Sequence, residues 1–101
     1  MSESFVQQAR ALTAAVLSGP GQLDPALRQA AASGAALPDG AATRYVDKVR
    51  RHAYRIVDED IDSLHAAGYT DDQVFELTEA AAHGAGLARL EAALAALEGV
   101  R

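Results

Sequence analysis

The sequence predicts an all-α fold, a single small domain of about five helices. Three observations lead there. Apolar residues recur at helical spacing along most of the chain, helix-start signals separate those stretches, and alanine accounts for 24 of the 101 residues.

Phe5, Ala9, Leu12 and Val16 mark a first helix from about Ser2 to Ser18, stopped by Gly19-Pro20-Gly21. Asp24-Pro25 opens a second, with a capping carboxylate ahead of a proline at the first helical position, where a missing N–H costs nothing. That helix ends near Gly34. Residues 35–40, closing on Pro38-Asp39-Gly40, read as a loop. Residues 1–40 thus form a helical pair and loop ahead of a helical core over 41–101.

A third helix is predicted from Thr43 to Ile56. Val46, Val49, Ala53 and Ile56 form its apolar stripe, and Arg44, Lys48, Arg51 and Arg55 fall on a narrow stripe opposite. Asp58-Glu59-Asp60 favours the positive end of a new helix, which buries Ile61 and Leu64 and stops at Gly68. Thr70-Asp71-Asp72-Gln73 is a capping box, with Tyr69 and Val74 in the positions of a hydrophobic staple. Val74, Leu77 and Ala81 continue the buried face, and Leu87, Leu90, Leu94 and Leu97 extend it nearly to the C-terminus.

Half of the residues are hydrophobic, but alanine removes little area from water, so the core is thin. Disulfides cannot reinforce it, because there is no cysteine. Burial against further copies of the chain is the remaining remedy, and a homo-oligomer is expected. Ala81, Gly84 and Gly86 are the expected interface, since small residues let another backbone approach closely or let a helix bend.

A net charge of -5 and an isoelectric point near 5.0 disfavour nonspecific binding to nucleic acid or anionic lipid. Residues 64–74 invite comparison with a DNA-binding helix-turn-helix. The second helix would carry Asp71, Asp72, Glu76 and Glu79 with no base, and it would repel phosphates. The N-terminus lacks a basic region followed by an apolar run, so neither a signal peptide nor a membrane span is expected, and a cytoplasmic protein is.

Without cysteine the chain cannot run thiol chemistry. The candidate acid-base residues are His52, His83 and Asp60, with Arg51 and Arg55 placed to hold a substrate carboxylate through bidentate bonds. Against this stands a plainer interpretation: the stripe from Arg44 to Arg55 is a solvated face matched by Asp58, Glu59, Asp60 and Asp62, and each His is a surface residue or a helix-capping one. His65 falls on the exposed side of its helix. No metal site is expected, because the three histidines are scattered, and no cofactor is expected either.

From Tyr45 to Leu97 the sequence resembles the AhpD-like (carboxymuconolactone decarboxylase) family. The resembling segments are His65-Ala66-Ala67-Gly68-Tyr69-Thr70-Asp71-Asp72-Gln73-Val74 and Leu87-Ala88-Arg89-Leu90-Glu91-Ala92-Ala93-Leu94. Peroxidase members carry Cys-x-x-Cys-x-x-x-His, whose positions fall here on Ala53, Ile56 and Asp60. The resemblance therefore implies an AhpD-like helical homo-oligomer without peroxidase activity, serving as an interaction or scaffold protein. It also permits an alternative, a cysteine-independent decarboxylase-type enzyme acting on a small carboxylate or lactone. A further alternative is an adaptor for a larger partner protein.

Overall fold

The structure, a computed structural model, describes residues 3–100, and every regular element among them is helical. The order is α1 (Glu3–Ser18), α2 (Pro25–Ser33), α3 (Gly40–Arg51), a 3-10 turn (Ala53–Arg55), α4 (Asp58–Ala66) and α5 (Asp71–Val100).

Local chemistry explains most of the boundaries. The Asp24 carboxylate accepts the Ala26 N–H at 2.8 Å ahead of Pro25, and Gly34 closes α2 with φ +77°, a left-handed conformation that glycine adopts without a Cβ clash. Asp39 has two tasks. One of its oxygens caps α3 through the Ala42 N–H at 2.8 Å; the other accepts the Tyr69 hydroxyl at 2.9 Å, tying this loop to the approach to α5. Burial and that carboxylate push the Tyr69 phenol up to about 12. The capping box forms reciprocally: Gln73 accepts the Thr70 N–H at 2.9 Å, and the Thr70 hydroxyl accepts the Gln73 N–H at 3.2 Å.

Two boundaries depart from the sequence prediction. α3 starts three residues early, because Asp39 caps it and the Thr43 hydroxyl bonds back to the Asp39 carbonyl inside the first turn. It also ends at Arg51 rather than Ile56. His52 leaves the helical region, and the 3-10 turn swings the chain back so that Asp60 at the start of α4 reaches Lys48.

The core is the crossing of α2, α3 and α4 over the first half of α5. Its buried residues include Leu23, Leu37, Tyr45, Val46, Leu64, Val74 and Leu77, and the Tyr45 hydroxyl finds Thr78 at 2.6 Å. The buried hydrophobics of the described chain lie between Leu23 and Ala85. The predicted burial of Leu87, Leu90, Leu94 and Leu97 does not occur: Leu87 and Leu94 are half-buried, while Leu90 and Leu97 are 41% and 58% exposed. α1 buries no residue completely, and its Phe5 and Leu12 are exposed. The fully buried core formed with α2 to α4 ends at Ala85, whereas α5 is a 30-residue helix about 45 Å long. The radius of gyration, 14.9 Å, accordingly exceeds the ~13 Å of a compact chain this long.

Three guanidiniums close the helix ends. Arg28, only 3% exposed, donates to the carbonyls of Val16 at 3.1 Å, Gly19 at 2.6 Å and Leu23 at 3.2 Å. Arg50 reaches the Ala32 carbonyl at the end of α2, and Arg89 the Arg50 carbonyl at the end of α3, at 2.7 Å. The last turns of α1 and α2 contain no basic residue, so the charge that offsets their dipoles comes from the following helix in each case.

At its midpoint α5 meets α2 backbone to backbone. A Cβ built on Gly84 would lie 2.5 Å from both the Cα and the carbonyl carbon of Ala32, whereas one on Gly86 meets nothing within 4 Å. These two glycines give a paired test. Gly84→Ala should destabilise the fold by about 1–3 kcal/mol through overpacking, although helix propensity alone favours the alanine by about 1 kcal/mol. Gly86→Ala should stabilise by up to about 1 kcal/mol. Chemical denaturation of both variants decides it; two stabilised variants would remove the close contact. Arg28→Met should cost about 1–3 kcal/mol by leaving carbonyls unsatisfied, a drop of several degrees or more in calorimetric Tm. An unchanged Tm would show that water replaces the guanidinium.

Candidate functional site

Two surface features stand out, and they lie on different parts of the molecule. The first is a basic cleft of about 720 Å³ where the ends of α2 and α3 meet α5. Arg44, Lys48, Arg50, Arg51 and Arg89 line it, five of the nine Lys and Arg residues of an acidic chain. Asp47 is the one carboxylate in its lining, and Val46, Ala85 and Ala88 supply its apolar part. The second is an apolar groove of about 500 Å³ between α1 and the second half of α5, lined by Phe5, Val6, Ala9, Leu87, Leu90 and Leu94 among others.

The predicted basic stripe is divided. Arg44, Lys48 and Arg51 face the cleft, whereas Arg55 sits on the 3-10 turn with its guanidinium 5.6 Å from the Tyr54 ring centre. The acidic run after the stripe compensates it only at one point. Lys48 bonds both Asp60 oxygens, at 2.8 and 2.9 Å, and Arg51 pairs instead with Asp47 on its own helix, at 2.9 Å between exposed side chains.

The candidate acid-base residues occupy separate places. His52 is the exposed cap of α3, its ring edge-on to Tyr54 at 5.9 Å. His83 is half-buried on α5, with Nε2 2.8 Å from the Thr13 hydroxyl of α1. That hydroxyl donates its proton to the Ala9 carbonyl at 2.9 Å, so it can only accept from the ring. His83 therefore carries its proton on Nε2 and clamps α1 to α5. Asp60 accepts from Lys48 and also from the Val57 N–H at 2.9 Å, and these bonds hold its carboxyl below the ordinary value near 3.8, the Lys48 bond foremost. An ionised carboxylate held by a lysine is a poor proton shuttle at neutral pH. His65 is exposed and bonds Asp71 at 2.7 Å.

Of the predicted interface residues, Ala81 is buried within the chain, Gly84 packs on α2 of the same chain, and Gly86 is open. Among the described residues no three His, Asp or Glu side chains converge as metal ligands, and no helix is long and apolar enough to cross a membrane.

Sequence reasoning missed Arg28, Arg50, Arg89 and Glu76. The Glu76 carboxylate accepts the N–H groups of Gln22 and Leu23, the nearest contacts at 2.8 and 3.1 Å, and so fixes the turn between α1 and α2. A usable signal was present for Arg28 and Arg50. Helices α1 and α2 end with no basic residue of their own, which requires a donor from elsewhere.

The Lys48–Asp60 pair makes a pH-dependent contribution of known sign. Because the folded pKa of Asp60 is depressed, its stabilisation is complete above the unfolded value and lost as pH falls through the folded one. Asp60→Asn should thus be less stable than the parent at neutral pH, with the gap closing in acid below pH 3.8. Urea denaturation across pH 2–7 measures it, and a gap independent of pH would assign the loss to something other than charge.

The chain matches no protein-family model, no curated protein and no solved structure.

Proposed function

We propose that this chain is a helical self-association module, in which two copies pack their α1 and distal α5 segments together. The observation that carries the proposal is the apolar groove between those helices, whose Val6, Leu90 and Leu94 have no further layer over them among the described residues. α1 and α5 already run antiparallel, since Gln22 meets Glu76 and Thr13 meets His83. A second antiparallel pair laid across them makes a four-helix layer, the ordinary way to bury two apolar helix faces.

Charge supports a second copy as the occupant. Arg10 on α1 and Glu91 on α5 flank the groove, and neither makes an ion pair among the described residues. In a two-fold dimer a contact from one residue to another occurs twice, so Arg10 of each protomer can face Glu91 of its mate. The proposal includes an AhpD-like helical unit, supported by the residue pattern of α4, the Gly68 turn and the capped start of α5, and it assigns the unit no thiol chemistry. The decarboxylase-type alternative gains no support, because His52, His83 and Asp60 face no common cleft.

Light scattering or sedimentation at micromolar concentration should give the mass of at least two chains. Leu94→Glu should yield a helical monomer, its dimer weakened about a hundredfold or more by an unpaired charge in the apolar layer. A parent that is monomeric in both measurements sinks the proposal, and a dimeric Leu94→Glu protein moves the interface elsewhere. Fixed stoichiometry with one unrelated chain would favour an adaptor role instead.

A further inference from the structure

The basic cleft carries an inference that does not depend on self-association. We infer that it is a binding site for a small phosphomonoester, with the phosphate held by Arg50, Arg51 and Arg89 around the end of α3, the carbon skeleton lying on Val46, Ala85 and Ala88, and Arg44 adding its charge from the far end of the cleft.

Charge accounting favours a dianion. Lys48 is neutralised by Asp60, and Asp47 offsets one of the four arginines. The ends of α2 and α3 bring roughly half a negative charge each. About two positive charges remain, in a protein whose overall charge is -5. Helix-end capping alone does not account for them. Arg50 and Arg89 each commit one donor to a carbonyl, which orients the guanidinium and leaves its other N–H groups for a ligand. Arg44 is exposed and makes no hydrogen bond or ion pair among the described residues.

A phosphomonoester concentrates two charges and three acceptor oxygens on one group, which suits the forked donors of Arg50, Arg51 and Arg89. A dicarboxylate spreads the same charge over two distant groups. The volume, about 720 Å³, admits a compact organic phosphate with room for its substituent. No histidine lines the cleft, and the ligand's own second pKa of about 6 makes its binding depend on pH.

Calorimetric or NMR titration with glycerol 3-phosphate at physiological ionic strength tests the inference, with dimethyl phosphate and succinate in parallel. Saturable binding should appear for glycerol 3-phosphate, strengthen several-fold from pH 5 to 7, and exceed that of both comparison compounds. Arg51→Gln, a change at an exposed side chain, should weaken it about tenfold or more. Arg55→Gln, outside the cleft, should not alter it. Absence of saturable binding overturns the inference. So does affinity unaffected by Arg51→Gln, or succinate binding as tightly as the phosphate. Because the mass of the same samples is measured separately, a monomer that binds phosphate and a dimer that does not are distinct results.

Discussion

The fold rests on guanidinium groups bonded to helix-end carbonyls. Each helix leaves its last carbonyls without partners, and burying such groups unpaired costs about 1–3 kcal/mol each. Arg28 and Arg50 meet that demand for α1 and α2 at partly buried carbonyls, and Arg89 bonds the end of α3 at an exposed one, always from a later element than the one they close. A domain with so much alanine gains little from side-chain burial, which leaves positioning to these polar contacts and to the Asp39, Thr70 and Glu76 caps. Arginine suits the task because its planar fork stays charged at any pH the protein meets.

Alanine and glycine also decide where the structure is dense. At the α2–α5 crossing, Ala31, Ala80 and Ala81 are completely buried and Gly84 admits the Ala32 backbone. Small side chains there exchange apolar area for closeness of approach, and the gain comes from van der Waals contact between backbones. Beyond Ala85 the same composition has the opposite outcome. There α1 leaves an open groove, so the alanines of the distal half of α5 cover little and the leucines among them stay partly in water. One helix thus serves as a core element for half its length and as an open surface for the rest.

The sequence made the helical class, the α2 and α5 starts and the Gly34 and Gly68 stops legible, because each depends on chemistry within a few residues: Asp24 before Pro25, Thr70 paired with Gln73, glycine at positive φ. It misjudged the span of α3, whose end answers to where α4 must return. It also misjudged burial after Ala85. Leu87, Leu90, Leu94 and Leu97 have a core helix's periodicity, and periodicity shows which face is apolar without showing what covers it. For the candidate sites, the basic stripe was visible at Arg44, Lys48 and Arg51, but Arg50 and Arg89 join it only through folding. His83 is a candidate acid-base residue by sequence, but its partner Thr13 lies 70 residues away, beyond the reach of local reading.

The direction of the guanidinium closures has a bearing on how the chain is made. Arg28 closes a helix that ends at Ser18, Arg50 one that ends at Ser33, and Arg89 one that ends at Arg51. Since synthesis runs from the N-terminus, each of these helices emerges with its end open and is completed only by sequence translated later. The wait lengthens along the chain, from ten residues after Ser18 to seventeen after Ser33 and thirty-eight after Arg51. A nascent chain lacking Arg89 would hold α3 with its final carbonyls still bonded to water, however much of the core had already met.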